Sequence, residues 1–244
     1  IRRGDIEWFR RCINEHARKI LDEDALRVSI EADCELDVGD LTMALAEELH
    51  LMEPFGVSNP VPQFVIRGMS VARVIPLGGG KHTKILLSKD GVSLYAVYFG
   101  LPTAQFHYTV NEKVDLLFQL SINEFQNERT LQMIVQDIHI SEEYAREQQR
   151  QRDRYEEIRT GASFDDEVES IIPTRDDFAL VYTYLRKEFR QGNTSFSDRT
   201  LLAALDGIAG GKINYIKMKF IIRVLQELQS CGVQEPAQGY YIFD

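Results

Sequence analysis

The sequence predicts an α+β chain that is mostly β in its middle part, with a five-stranded barrel followed by a helical domain. Two patterns indicate this fold class. Residues 62–141 contain five short runs rich in β-branched and aromatic side chains, whereas residues 173–244 repeat apolar side chains at helical spacing. With 244 residues, 44% of them apolar and 27% charged, the chain is long enough to bury a core in each of two globular domains.

The barrel strands are predicted from alternating apolar residues bounded by turn residues. They are expected at 63–75, 82–88, 92–99, 112–122 and 130–140. Glycines 78–80 separate the first two strands, and Asp90-Gly91 forms a tight turn between the second and third. This count and spacing match an oligonucleotide-binding (OB) fold, a Greek-key barrel that binds oligonucleotides on its second and third strands. Barrels of this kind also bind proteins, so the fold alone leaves the ligand open.

The segments on either side of the barrel contain further predicted elements. An amphipathic helix is expected over 5–21 with Asp5 as its N-cap, then a strand over 26–32 and a second helix over 42–52. After the barrel, Ser141–Arg159 is almost entirely polar and predicts an exposed connecting helix.

The last domain is predicted to be helical with a closing β segment. Thr174 is placed to cap a helix over 176–189, Ser197 caps a second helix, and a third spans 214–228. Three helices and a terminal hairpin resemble a winged helix. The predicted divisions of the chain are 1–24, 25–61, 62–141, 142–172 with its linker, and 173–244.

Composition limits the classes of function. A net charge of −10 argues against the whole chain being a nonspecific polyanion binder, but residues 62–141 carry seven cations against six carboxylates. No apolar run approaches the length of a membrane span, so no membrane partner is expected. Cys12, Cys34 and Cys231 are scattered without CxxC spacing, which is typical of reduced thiols in a cytoplasmic protein.

A proline-rich segment carries a family resemblance. Residues 54–64 read Pro-Phe-Gly-Val-Ser-Asn-Pro-Val-Pro-Gln-Phe, which resembles the PFGxGNPxPxF signature of the RecJ family, bacterial single-strand-specific exonucleases of the DHH phosphoesterase superfamily. Ser58 replaces the second glycine of that signature. Residues 31–33 (Glu-Ala-Asp) and 80–84 (Gly-Lys-His-Thr-Lys) resemble two further family segments. The resemblance covers residues 1–140, and more weakly the C-terminal tail of Gram-positive-type members.

The resemblance implies a parent enzyme that degrades single-stranded DNA from its 5′ end in repair and recombination. Such an enzyme uses Mn²⁺ or Mg²⁺ held by Asp and His clusters, and this sequence contains no such cluster. The chain therefore looks like a C-terminal fragment, with residues 1–24 as the trailing helix of a truncated DHH-associated domain. We expect no catalytic residue, no metal ligand and no cofactor in it, and no nuclease activity from it alone.

The candidate DNA contacts lie in the predicted barrel, because single-strand binders combine cations with aromatic stacking surfaces. Alternation places Thr83, Ile85 and Leu87 inside the barrel and leaves the intervening side chains outside. Which aromatic residues are exposed is left open. The candidate nucleic-acid-binding residues are Lys81, His82, Lys84, Arg67, Arg129, Tyr95, Tyr98 and Phe99.

Two functions remain open on the sequence. The first is single-stranded DNA binding, and the alternative is a docking module that recruits a helicase, a single-strand-binding protein or replication factors. In the last domain, Lys212, Lys217, Lys219 and Arg223 permit a recognition helix. The many apolar residues of the same helix favour a protein-docking or scaffolding role, with these cations as surface charges.

Overall fold

The computed structural model describes residues 2–21, 30–163, 168–228 and 232–242. These residues form two compact units, 1–32 and 33–244. The first unit contains helix α1 (Ile6–Ile20), whose apolar side chains are exposed. Asp5 takes the predicted N-cap position but makes no capping hydrogen bond. A preceding 3-10 turn already gives Asp5 helical dihedral angles (φ −95°, ψ −2°), so its carboxylate is not presented to the amides of the first turn.

The second unit begins with a short strand, β1 (Cys34–Glu35), which pairs in parallel with Phe64 and Val65. Of the strand predicted over 26–32, residues 26–29 lie outside the described residues. Residues 30–32 form no strand, so the prediction is wrong there. Pairing starts only at Asp33, whose N–H donates to the Gln63 carbonyl and whose carboxylate accepts the Gln63 N–H, both at 2.8 Å.

Helix α2 (Met43–His50) forms where the sequence predicts it, and Thr42 caps it by accepting the Leu45 N–H at 3.2 Å. The proline-rich turn follows. Asn59 closes this turn by donating from its side chain to the carbonyls of Met52 (2.8 Å) and Pro54 (3.2 Å). The turn is therefore an ordered connection into the barrel.

Five strands form a closed barrel, which confirms the predicted OB-type fold. Their bounds are β2 (Phe64–Leu77), β3 (His82–Lys89), β4 (Val92–Tyr98), β5 (Lys113–Phe125) and β6 (Glu128–Ile140). The sheet runs β2-β3-β4-β6-β5 and closes where β5 pairs with β2; β4 and β6 are parallel and the other barrel pairs are antiparallel. Apolar side chains of all five strands fill the interior, among them Ile66, Met69, Ile85, Leu87, Ala96, Val114, Phe118 and Met133.

The C-terminal part is a helical domain with a small sheet. Its elements are α3 (Glu142–Arg159), α4 (Val168–Ile171), α5 (Arg175–Arg190), β7 (Ser195–Ser197), α6 (Asp198–Ala209), α7 (Tyr215–Glu227), β8 (Gln234–Ala237) and β9 (Tyr240–Ile242). Thr174, Ser197 and Asn214 cap α5, α6 and α7 through their side chains, as the sequence predicts for the first two. In the small sheet β9 lies between β7 and β8.

Helix α3 is more than the exposed connector that its sequence predicts. Most of its side chains are exposed, but Tyr155 is buried in the core of the C-terminal domain, with its ring centroid 5.5 Å from that of Phe220. Gln151 accepts the N–H of Tyr215 at 2.9 Å, which satisfies an amide at the start of α7. A few apolar residues at one end are therefore enough to anchor a highly charged helix.

An ion pair connects the barrel to helix α6. Glu112, just before β5, is fully buried and accepts hydrogen bonds from Nε and Nη2 of Arg199, and from the N–H of Thr109 at 2.7 Å. The hydrogen bond with Glu112 is the main cause that raises the pKa of Arg199. Nearby, burial and the charge of Glu112 raise the pKa of Tyr144 to about 12.

Candidate nucleic-acid interface

The outer surface of β3 and β4 is fixed by their antiparallel register. Thr83, Ile85 and Leu87 are buried, as alternation predicts, so His82 and Lys84 lie on the opposite, outer side. Because directly paired residues share a side of the sheet, the pairing of Lys84 with Val97 and of Leu86 with Tyr95 places those partners outside as well. The same side continues onto β6 through the pairing of Val97 with Ile134. We call this surface the outer face.

Tyr95 and Lys84 form the centre of the outer face. The Tyr95 side chain is 39% exposed, and Lys84 Nζ lies 4.1 Å from the centroid of its ring. A cation at this distance over an aromatic ring is held by the negative face of the ring. Val97, which lies beside them, is only 3% exposed although it points outward. The face therefore has an apolar floor with a cation and an aromatic ring above it.

Phe99 and His82 form the end of the outer face next to the β2–β3 turn. Phe99 is 53% exposed, and its ring lies edge-on to that of His82 with centroids 5.5 Å apart. His82 Nδ1 accepts the N–H of Gly100 at 2.8 Å. A side chain at Gly78 would place its Cβ 3.2 Å from the imidazole of His82. The ring of His82 is thus fixed from both sides, and Phe99 is the more accessible of the two.

Arg73 also lies on the outer face, although the sequence-based candidates did not include it. Val71 pairs with Leu87 and Arg73 pairs with Leu86, so Ala72 is an additional residue in β2, a β-bulge. Strict alternation would place Arg73 on the buried side with Val71. The bulge reverses this orientation, and Arg73 is exposed. Its side chain makes no hydrogen bond or ion pair within the part of the chain that the structure describes.

Tyr98, unlike Tyr95 and Phe99, faces the barrel interior. It pairs with buried Thr83, packs on the core, and its hydroxyl donates to the carbonyl of Gln136 at 3.3 Å. Burial, with a smaller contribution from the charge of Asp137, raises the pKa of Tyr98. Of the three aromatic candidates, the structure therefore brings two to the outer face.

Arg67 and Arg129 are bound to carboxylates elsewhere. Arg67 lies where β2 pairs with β5 and contacts Glu35 (3.0 Å) and Asp115 (3.5 Å); the hydrogen bond to Glu35 is the main cause that raises its pKa. Arg129 lies beside α2 and contacts Glu47 (2.8 Å) and Glu124 (3.0 Å). Ion pairs of this kind reduce the charge that each guanidinium offers to a ligand.

Two turns border the barrel strands. Lys81 is exposed at the β2–β3 turn, where glycines 78–80 all have positive φ angles (59°, 69° and 88°) that side chains disfavour. Phe125 is 67% exposed at the tip of the β5–β6 hairpin. The corresponding two loops bind oligonucleotides in OB folds, so Phe125 is a candidate contact that sequence reasoning missed. The sequence feature that could have identified Phe125 is an aromatic residue directly before the Gln126-Asn127 turn.

The outer face carries the kinds of side chain that bind ligands, namely cations and aromatic rings. Among residues 2–21, 30–163, 168–228 and 232–242 there is no cluster of three or more His, Cys, Asp or Glu side chains that could hold a metal ion. The face combines two cations, Lys84 over the Tyr95 ring and Arg73 without a carboxylate partner among the described residues, with the exposed rings of Tyr95 and Phe99. This chemistry fits a polyanion that carries flat rings.

Comparisons with known proteins identify the family that the barrel region resembles. Residues 32–137, which include β1 and almost the entire barrel, match the family model described as the RecJ OB domain. The chain resembles the OB region of RecJ. The single-stranded-DNA-specific exonuclease RecJ of Bacillus subtilis (strain 168) is 27% identical over 139 residues, which are 57% of this chain and 18% of that protein. RecJ of Escherichia coli (strain K12) is 29% identical over 132 residues, 53% of this chain and 22% of that protein.

Among solved structures, RecJ from Thermus thermophilus in complex with Mn²⁺ matches with a TM-score of 0.43 and 20% identity, covering 56% of this chain and 19% of that one. This chain thus spans about a fifth of the length of the RecJ proteins it matches. Within the described ranges, no helix has the length and apolar character needed to span a membrane.

Proposed function

We propose that the outer face binds single-stranded DNA, as part of a RecJ-type exonuclease that degrades single strands in the 5′ to 3′ direction. The observation that carries this proposal is the presence of Lys84, Arg73, Tyr95 and Phe99 on one side of the barrel, with both rings exposed. The match of the barrel to the RecJ OB domain supports it, since the curated relatives are named as single-stranded-DNA-specific exonucleases.

The chemistry of the face is that of a sequence-tolerant single-strand binder. Each base offers a flat ring, and stacking on an aromatic side chain is worth about 1–3 kcal/mol per base. The backbone offers one negative charge per nucleotide, which Lys84 and Arg73 can neutralise with release of counterions. Paired bases in a duplex are already stacked on one another, so exposed rings favour a single strand.

Net charge does not exclude this function. The chain carries −10 overall, but electrostatic attraction at a surface depends on the charges within about one Debye length, 8–10 Å at physiological salt. Arg73 and Lys84 lie on adjacent strands and have no carboxylate partner among the described residues. The outer face therefore carries two cations that no carboxylate of the described residues neutralises by direct contact.

Catalysis belongs to the proposed whole enzyme and not to the described residues. RecJ has been solved with Mn²⁺ and with Mg²⁺, and such ions supply activated water for phosphodiester hydrolysis. The described residues do not fit such a centre, because they form no carboxylate or histidine cluster of ligand size. We therefore assign binding, and no catalytic step, to this part of the enzyme.

The remaining assignments are also proposals. We assign the enzyme to DNA repair and recombination in the cytoplasm. For the last domain we propose a winged helix, because its elements follow the order helix, strand, helix, helix and hairpin, with β9 central in the sheet.

Fluorescence anisotropy with a labelled oligothymidylate of about 10 nucleotides, inside the 4–16 nucleotides that one OB fold covers, tests the proposal. Lys84→Gln should weaken binding and reduce the slope of log affinity against log salt by about 0.7, one phosphate contact on a single strand. Tyr95→Ala should weaken binding about 5- to 100-fold with little change in slope. Arg129→Gln removes the same charge from a carboxylate-paired cation and should have little effect. A chelator should change nothing.

Unchanged affinity and slope in both Lys84→Gln and Tyr95→Ala would reject the outer face as the DNA site. That result would favour the second candidate function, docking of a partner such as a helicase, a single-strand-binding protein or a replication factor. The proline-rich turn favours this candidate, because Leu51 and Val57 project into solvent and Met52 is also exposed. Several exposed apolar side chains within one short segment, here 51–57, favour a protein contact.

A further inference from the structure

Helix α7 is not available for reading DNA, although its sequence carries the cations of a recognition helix. A recognition helix contacts base edges with its N-terminal residues. In this protein Tyr155 of α3 packs on Tyr215 and Phe220, with ring centroids 6.2 and 5.5 Å apart, and Arg152 lies 5.6 Å from the Tyr215 ring. Helix α3 thus covers the N-terminal half of α7.

The cations of α7 are also bound within the domain, so the expectation that they are surface charges is wrong for Lys217 and Lys219. Lys217 contacts Asp177 at 3.3 Å and is buried. Lys219 contacts the Tyr241 hydroxyl at 2.5 Å and Asp198 at 3.5 Å. Cations of an amphipathic helix point outward only where the domain leaves that side open. Here α5 binds Lys217, and α6 together with β9 binds Lys219.

Helix α5 carries a different basic surface, and this one is exposed. Its residues Arg175, Tyr182, Arg186, Phe189 and Arg190 are all exposed and lie on one side of the helix, next to the buried face formed by Val181 and Leu185; we call these five residues the α5 stripe. Tyr182 is 42% and Phe189 46% exposed. At 1.5 Å per residue the stripe is about 22 Å long.

The guanidinium groups of the α5 stripe have no charged partner in the part of the chain that the structure describes. The side chains of its three arginines make no ion pair or hydrogen bond with any of the residues that the structure describes. Arg186 and Arg190 are four residues apart, a like-charge spacing that destabilises a helix by about 0.2–0.5 kcal/mol. Arg190 gains from the helix dipole in the last turn, but Arg175 in the first turn opposes it. Ion pairing and like-charge spacing within the described residues therefore give these three arginines no net stabilising role.

We propose that the α5 stripe is a second contact for single-stranded DNA, bound by the same strand that lies on the barrel. This proposal rests on the proposed function of the outer face. Charge complementarity requires an anionic ligand, and the stripe uses arginine, whose planar guanidinium pairs with phosphate oxygens through two hydrogen bonds and stacks on flat rings. The two exposed aromatic rings, seven residues and about 10 Å apart along the helix, provide stacking surfaces beside the arginines.

The test compares two oligothymidylates, one of about 10 nucleotides that the barrel alone can cover and one of about 30 that can reach beyond it. Anisotropy titrations use the 244-residue chain, the variant Arg186→Gln with Arg190→Gln, and a control, Arg146→Gln with Arg150→Gln. The control removes two exposed cations at the same four-residue spacing from α3, where both are paired with glutamates.

For the longer strand, the stripe variant should bind about tenfold more weakly and its salt slope should fall by about 1.4, two phosphate contacts at 0.7 each. For the shorter strand it should bind like the unmodified chain, and the control should match the unmodified chain at both lengths. Tyr182→Ala with Phe189→Ala should weaken only the longer strand, without changing the slope.

Three results would overturn the proposal. The first is that the unmodified chain binds the longer strand no more tightly than the shorter one. The second is that the stripe variant and the control have the same affinity for the longer strand. The third is that the stripe variant keeps its DNA affinity but loses binding to a fluorescent polyglutamate peptide. The last result would assign the stripe to an acidic protein segment. Binding of the shorter strand depends on the barrel alone. If the outer face does not bind DNA, its variants will leave binding of the shorter strand unchanged, and this result is independent of whether the stripe binds the longer strand.

Discussion

Removing Arg199 should loosen the contact between the barrel and the C-terminal domain. Glu112 has no exposed surface, and Arg199 supplies two of the three hydrogen bonds that its carboxylate receives, while Thr109 supplies the third. Loss of one partner of a buried ion pair costs about 3–5 kcal/mol. The side chain of Arg199 is 45% exposed, so water can reach the Arg199 side of the carboxylate in its absence. We therefore expect about 2–3 kcal/mol of destabilisation for Arg199→Met, which keeps much of the apolar stem.

Urea unfolding followed by circular dichroism measures this loss. A double-mutant cycle with Glu112→Gln isolates the pair, and its coupling energy should be at least about 1.5 kcal/mol, because the double variant leaves no unpaired buried charge. Arg146→Met is the control, since exposed ion pairs on a helix surface contribute about 0–1 kcal/mol. A loss below about 0.5 kcal/mol for Arg199→Met, or single effects that simply add in the double variant, would refute the reasoning.

Two further predictions concern the same domain contact and the outer face. A Cβ at Gly207 would overlap the side-chain amide of Asn111, so Gly207→Ala should destabilise the chain by about 1–3 kcal/mol despite its better helix propensity. Adding Asn111→Gly, at a position with φ +71°, should restore stability in urea titrations, and a single Gly207→Ala as stable as the unmodified chain would contradict this. Phe99→Ala should weaken binding of a short oligothymidylate about 5- to 100-fold, while Tyr98→Phe should leave the affinity unchanged. Equal losses of affinity in the two variants would show that the exposure of a ring does not determine whether it contacts DNA.

The barrel could be predicted from sequence because its signals are local. Strand alternation and turn residues set the orientation of His82 and Lys84 without knowledge of any partner strand. The orientation of Arg73 could not be predicted from alternation alone. A single inserted residue reverses the face of every side chain that follows, and the bulge at Ala72 is defined only by the pairing of β2 with β3.

The charged candidates were harder to predict because their partners are distant in sequence. Arg67 and Arg129 are cations of the barrel, as expected, but Glu35 and Glu47 come from the segment before it. The same limit applies to Lys217, whose partner Asp177 belongs to another helix. Sequence reasoning counts charges correctly and cannot tell which of them are already paired.

Helix α3 determines how the two proposed DNA contacts would work together. It begins two residues after the end of β6, where the Ser141 N–H donates to the Lys113 carbonyl at 2.9 Å, and it ends in the core of the C-terminal domain through Tyr155. The Arg199–Glu112 pair ties α6 to the barrel as a second connection. A strand held on the outer face would then meet the α5 stripe as an intramolecular event, at an effective concentration of the order of mM for a short tether. Weak contacts at the stripe therefore suffice to raise the affinity for long strands, and Arg199→Met should reduce that gain while leaving the binding of short strands intact.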